Sequence, residues 1–386
     1  MNMRITHKLV GAGVLALVAG CSTLNSINPF ASKAKGNQPA PLVELKGSMA
    51  VRTAWKLDIG KAADYVFTPA VVGNTVIAAS SDGAIARVES ATGRQLWRVK
   101  SETPLTAGVG SDGNMLVFGG REGTVLAFDM DGKAMWKYQA SSEVLSSPVV
   151  GQGVVVVRSV DNRIVGLDAA TGQQKWTVQR TSPPLILRNA PGMVVVEKDV
   201  IIAQPGGKLI SLLLATGAPR WEVAVGEARG ATELERVTDI GGTPVLFEGQ
   251  VCAAAYQGRV GCFDVATGAA RWNKDLSSEV GVSVDQRFVF AVDDKGAVSA
   301  FERDTGASVW KNDKLGYRRV STPVSYGRAV AVGDYQGFIH FLSREDGSFL
   351  ARAATDGSPV ISAPQVAGSN LIFQTQSGTV TAIAVE

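Results

Sequence analysis

Residues 167–176 read LDAATGQQKW and residues 263–272 read FDVATGAARW. Both carry an aspartate, the tripeptide Ala-Thr-Gly and a tryptophan four residues after the glycine. The same spacing recurs in ATGRQLW (91–97), MDGKAMW (130–136), ATGAPRW (215–221) and DTGASVW (304–310), and EDGSFLA (345–351) keeps the turn but ends in Ala351. The tryptophans, Trp55, Trp97, Trp136, Trp176, Trp221, Trp272 and Trp310, follow one another at gaps of 42, 39, 40, 45, 51 and 38 residues. A period of this length is the mark of a repeat architecture, so the repeat decides the fold.

Working outward from each motif glycine, a second turn residue lies ten positions earlier in most units: Gly83, Asn162, Gly207, Gly258, Gly296 and Gly337. The segments on both sides alternate apolar with small or polar residues, as in TVIAASSDGAIARVES, which predicts a hairpin. Glycine or asparagine at the tip suits a turn that needs positive φ. Units open with a small residue and proline, as in Thr68-Pro69, Ser147-Pro148, Ala190-Pro191, Thr243-Pro244, Thr322-Pro323 and Ala363-Pro364. Proline is tolerated at the first position of a strand because it has no N–H for the ladder. Each unit is therefore four short strands, and residues 46–386 divided by eight give about 43 per unit, the blade length of a β-propeller. The last unit stops at Glu386 after three strands, while MAVRTAWKLDI (49–59) carries a tryptophan strand with no unit before it. Joined, they make the eighth blade, and closure removes the exposed edges that an open array would leave. The fold class is an all-β, eight-bladed propeller of four-stranded blades, the last closed by the N-terminal strand. Each indole is expected to be buried largely between neighbouring blades, with its N–H finding an acceptor.

The amino terminus, MNMRITHKLVGAGVLALVAGC, has a short basic start, an apolar run and small residues before Cys21. It reads as an export signal over 1–20, too short for a membrane span. Val18-Ala19-Gly20-Cys21 resembles the lipobox of bacterial lipoproteins, which implies acylation at Cys21. Ser22 in place of aspartate implies delivery to the outer membrane, lipid-anchored on the periplasmic face. Residues 21–45 are rich in Ser, Asn, Pro, Lys and Gly without periodicity and read as a lipidated flexible tether, leaving 46–386 for the propeller.

Composition excludes several classes of function. Charged residues make up 19% and apolar ones 45%, so the chain is not disordered. Of 38 basic residues Arg4 and Lys8 belong to the signal, leaving 36 against 35 acids and no footprint for nucleic acid. Beyond the signal the only histidine is His340, too few for a Ser-His-Asp triad or a histidine-rich metal site. No Walker loop, nucleophile elbow or zinc spacing occurs. The acids Asp82, Asp129, Asp168 and Asp264 fall at hairpin tips or strand ends, where turn-forming roles are the rule.

The A-x-T-G-x-x-x-W signature resembles the repeat of pyrroloquinoline-quinone (PQQ) dehydrogenases over nearly all of residues 50–386. Those enzymes hold quinone and calcium at the centre with acidic and amide ligands, a catalytic aspartate and a pair of adjacent cysteines. The chain has no Cys-Cys pair, and its tryptophans are taken by the repeat motif. A periplasmic PQQ-dependent dehydrogenase is thus the alternative reading, and a polysaccharide-binding lipoprotein a third, set back by the shortage of free aromatic rings. With the lipobox and eight blades, the whole chain resembles the BamB family of the outer-membrane β-barrel assembly (Bam) complex. That resemblance implies a non-enzymatic scaffold without metal, cofactor or small-molecule substrate, which binds the periplasmic POTRA domains of BamA and aids insertion of outer-membrane proteins. The family's two partner loops match PPLILRNAP, with Leu185, Leu187 and Arg188, and ATELERVTDIGGTP, with Asp239; the place of a second family acid is Gly241.

The tryptophan gaps support the same loops. The gaps of 45 and 51 residues place extra chain after the fourth strands of adjacent blades, so TSPPLILRNAPGM and GEARGATELERVTDIGG should stand side by side on one face. Leu185, Ile186 and Leu187 beside Arg188 have the composition of an interaction hot spot; the plainer reading is that the leucines fold back under their own loop. Cys252 and Cys262 flank the tip Ala255–Arg259 and count to directly opposite positions, which permits a disulfide or two free buried thiols.

Overall fold

The computed structural model describes residues 37–45 and 47–385. The signal 1–20 and Cys21 lie outside the described residues. From Pro39 onward the chain forms one compact unit.

That unit holds eight four-stranded antiparallel sheets. In chain order the blades are residues 70–100 (blade 1), 105–139 (blade 2), 149–179 (blade 3), 193–224 (blade 4), 240–275 (blade 5), 283–312 (blade 6), 324–354 (blade 7) and 365–385 (blade 8), the last completed by Val51–Asp58. The N-terminal strand pairs antiparallel with Thr379–Val385, from Val51 opposite Val385 to Asp58 opposite Thr379. First strands of successive blades lie against one another around the ring, and the circle closes between Gln365–Ala367 and Ala70–Val72. The result is an eight-bladed β-propeller.

The middle strands of each blade read as apolar runs because both their faces are covered by neighbouring blades. Val154–Arg158 and Ala329–Gly333 are buried throughout. The fourth strands, such as Gln174–Gln179, alternate exposed and buried positions, as an outer edge with one covered face must.

The repeat motif is the joint between blades. Trp136 Nε1–H donates to the Ala169 carbonyl at 2.8 Å, and Trp176 Nε1–H donates to the Leu214 carbonyl at 2.9 Å. The other five tryptophans make the same bond to Ser90, Met130, Val265, Arg303 and Arg344. Each acceptor lies in the motif turn of the following blade. The glycine of that turn sits on the ring: a Cβ on Gly172, whose φ is +72°, would come 2.7 Å from Trp136. Glycine thus serves both the turn and the close approach. Trp55, Trp176 and Trp272 are buried, and the remaining four are half-buried.

Blade 7 has no tryptophan because blade 8 has no motif turn to receive one. The third strand of blade 8, Thr379–Val385, pairs with a fourth strand supplied by Val51–Asp58, so no hairpin turn joins the two. Ala351 is buried instead in a cluster with Met49, Leu350 and Phe373.

The stretch 39–45, which the sequence assigns to the tether, is hydrogen-bonded to the propeller. Ala40 N–H donates to the Gly316 carbonyl at 2.8 Å, Arg318 Nη1 donates to the Ala40 carbonyl at 2.9 Å, and Arg352 Nη2 donates to the Val43 carbonyl at 3.0 Å. Cys252 and Cys262 occupy opposite positions on Gln250–Ala255 and Arg259–Asp264 and are joined by a disulfide across a Cα separation of 4.1 Å.

Candidate functional site

The two long connections leave the fourth strands of blades 3 and 4, Gln174–Gln179 and Pro219–Ala224. They are stitched together. Leu187 N–H donates to Asp239 Oδ2 at 2.6 Å, Asn189 Nδ2 donates to the Ile240 carbonyl at 3.1 Å, and Gly192 N–H donates to the Gly242 carbonyl at 2.8 Å.

In the first loop, Leu185 is 43% exposed, while Ile186 and Leu187 are half-buried over a cavity of about 220 Å³ that they line with Leu145, Val160 and Arg158. The leucines therefore divide, one presented to solvent and one turned partly inward. Arg188 is exposed and forms an ion pair with Glu143 Oε2 at 3.2 Å. An apolar side chain beside a guanidinium on an ordered loop is a surface suited to a protein partner.

Asp239, which the resemblance matches to the second partner loop, lies inside the protein. It is 3% exposed. One carboxylate oxygen accepts the Leu187 N–H and the other accepts the Gly206 N–H at 2.9 Å. Its charge also faces the buried Arg158, whose pKa is pulled down to about 10 by burial, with the Asp239 carboxylate working against that fall. Arg158 keeps its place through Nη1 to the Ala203 carbonyl at 3.0 Å and Nη2 to Ser146 Oγ at 2.9 Å. Asp239 is therefore the internal hub that holds the first loop to the second. Sequence spacing could not show this, since the bonded residues are 52 and 33 positions away.

Gly241 stands where the family pattern has its second acid. A Cβ there would come within 2.6–2.7 Å of the Glu279 and Val280 backbone. Close approach of the segment entering blade 6 excludes any side chain at this position.

The second loop contains a single turn closed reciprocally: Glu235 Oε2 accepts the N–H groups of Ala231 and Thr232 at 2.8 and 3.0 Å, and Glu235 N–H donates to Thr232 Oγ1 at 3.2 Å. This is the capping-box arrangement. It carries Leu234, 70% exposed. Sequence reading passed over Leu234, although the T-x-x-E spacing of Thr232 and Glu235 marked the turn.

The mouth of the central channel, about 620 Å³, is walled by the small-Pro openings, valines and a single amide, Gln365, with no aspartate or glutamate. Calcium takes six to eight oxygen ligands with carboxylates among them. This donor set does not fit a quinone–calcium centre. No group of His, Cys, Asp and Glu that could hold a metal ion occurs among the described residues.

Comparison with known proteins agrees with this placement. The family model described as outer membrane protein assembly factor BamB matches residues 81–312. A protein of that name from Burkholderia pseudomallei is 41% identical over 98% of each chain. The crystal structure of BamB from Moraxella catarrhalis superposes with a TM-score of 0.79 at 29% identity, covering 87% of this chain and all of that one. A quinohemoprotein alcohol dehydrogenase from Comamonas testosteroni matches with a TM-score of 0.68 over 86% of this chain and 76% of its own, but at 13% identity, which shows a shared fold alone. The repeat, the closed ring and the full-length identity together place this chain in the outer membrane protein assembly factor BamB family.

Proposed function

We propose that the chain is a non-enzymatic scaffold of the outer-membrane β-barrel assembly complex. It is held by lipid at Cys21 to the periplasmic face of the outer membrane, and it binds the POTRA domains of BamA through the loop that carries Leu185, Leu187 and Arg188. The observation that carries this reading is the loop itself. Exposed Leu185 and Arg188 stand on a rigid blade framework, and the backbone between them is tied down at Leu187 by Asp239. Pre-ordering lowers the entropy lost on association, so such a loop binds more tightly than a free one of the same composition. Asp239 contributes by fixing the loop, not by reaching the partner.

The test is co-purification with BamA. Leu187→Ala and Arg188→Ala are each expected to weaken binding by about 1–3 kcal/mol. A Leu185, Leu187 and Arg188 triple-alanine protein, folded and anchored, that still co-purified in full would remove this surface from consideration.

A further inference from the structure

The cavity of about 220 Å³ beneath the first loop has a fixed mouth. Glu143 secures two sides of it: its carbonyl accepts the Val160 N–H at 2.9 Å, and its carboxylate pairs with Arg188. Asp239 secures a third by accepting the Leu187 N–H. Ile186 and Leu187 are half-buried over the opening, and Val160 at the rim is 38% exposed. The opening therefore exists before any partner arrives, and filling it requires little further ordering of the loop.

The wall of the cavity decides what it can hold. Leu145, Val160, Ile186, Leu187, Pro191 and Pro205 give it apolar surface. The polar side chains among them are spent on the protein itself. Arg158 donates to the Ala203 carbonyl and to Ser146 Oγ, Ser159 Oγ donates to Asp161, and the Nδ2 groups of Asn162 and Asn189 donate to the Thr181 and Ile240 carbonyls. Both Asp239 oxygens are taken by the Leu187 and Gly206 amides. Arg158 Nε and Asn162 Oδ1 have no partner, but both are closed to solvent and present nothing to an incoming group. A polar group entering here would lose its water without gaining a bond, whereas an apolar one gains by leaving water. A cavity of about 150 Å³ already accommodates benzene, so this one has room for a single aromatic ring. The guanidinium groups of Arg158 on the wall and Arg188 at the rim favour a ring over an aliphatic chain, because aromatic faces attract cations.

We infer that this cavity is a socket for one aromatic side chain of the protein partner, which enters between Leu187 and Val160 and is buried there on binding. The inference rests on the proposed partner surface and adds to it a pocket and a residue, Val160, that the loop side chains alone do not define. Val160→Phe places a ring of the protein's own in the opening, while Val160→Thr keeps the shape and leaves the socket open. In the mature protein, Val160→Phe is expected to keep or raise the melting temperature and to weaken binding to purified BamA POTRA domains about tenfold or more; Val160→Thr is expected to bind like the parent. As a direct probe, p-cresol at millimolar concentration is expected to shift the Leu145 and Leu187 methyl resonances saturably in the parent and in Val160→Thr, and not in Val160→Phe. No p-cresol shift in the parent, p-cresol still entering Val160→Phe, or equal loss of partner binding in both Val160 variants would each overturn the socket. If the Leu185, Leu187 and Arg188 triple-alanine protein loses binding and Val160→Phe does not, the socket is overturned and the partner surface stands. If neither loses binding, the partner surface itself fails.

Discussion

Asp239 shows how burial changes the meaning of a charged residue. An exposed acid at an interface mainly speeds encounter, and its effect fades with salt. Asp239 is buried, with its two oxygens committed to the amides of Leu187 and Gly206. Asparagine at this position can accept only one of those N–H groups and turns a donor toward the other. Asp239→Asn is therefore expected to cost about 1–3 kcal/mol in unfolding free energy and to speed hydrogen exchange at the Leu187 or Gly206 amide. Its effect on partner binding should carry the same salt dependence as the parent protein. A flatter salt dependence in the variant would instead mark Asp239 as a direct electrostatic contact.

At the scale of the element, the recurring unit is a joint between two blades. Every fourth strand bulges at the residue before its tryptophan, as where Gly166 faces Trp176 and the next pair is Leu167 with Gln174. The same shift occurs at Trp97, Trp136, Trp221, Trp272 and Trp310, at Ala351 in blade 7, and at Trp55 in the N-terminal strand. A bulge re-aims a side chain, and this one coincides with an indole set over the next blade's turn. Trp176→Ala removes packing on Gly217 and the bond to Leu214. The expected cost is about 3–5 kcal/mol, read as a lower unfolding midpoint in urea. Ala351→Trp restores the motif where no turn waits for it. Because Ala351 is buried against Met49 and Leu350, the added ring is expected to destabilise by about 1–3 kcal/mol. A stabilised Ala351→Trp protein would contradict the account of the missing seventh motif.

For the whole molecule, closure brings together residues from opposite ends of the chain. Arg318 and Arg352 in and beside blade 7 hold residues 40–43, and both belong to a buried network around His340. Arg352 Nε donates to His340 Nδ1 at 3.3 Å, so His340 carries its proton on Nε2 and donates it to Asp334 Oδ2 at 2.8 Å; Arg318 Nε donates to the same oxygen at 2.7 Å. Burial, with the Arg352 and Arg318 charges, holds the His340 pKa below its ordinary value, although Asp334 pulls it upward. The folded state thus prefers neutral His340. Its contribution to stability is complete above the unfolded histidine value of about 6.5 and is lost as pH falls through the lower folded value. Asp334, also held below its usual range, adds a further loss at more acidic pH. Urea unfolding from pH 7 downward is expected to show falling stability, and His340→Gln should flatten the part of that slope nearest pH 6. An identical slope in the variant would exclude His340 as its source.

The repeat period, the hairpin tips, the eight blades and the N-terminal strand that completes the ring were all legible in short motifs and in the regular spacing at which they recur. They depend on local demands: positive φ at a turn, no N–H at proline, alternation on a strand. The register that sets Cys252 opposite Cys262 belongs to the same class. What the amino-acid order could not decide was which atoms meet across blades. The acceptors of the indoles, the hub at Asp239 and the exclusion of a side chain at Gly241 arise only when blades pack. The same is true of the arginines that hold residues 40–43, joined to them across 278 and 309 positions. Those features are set by packing distances of a few ångströms between segments whose separation along the chain carries no local signal, so the fold was readable in one dimension and the working surface only in three.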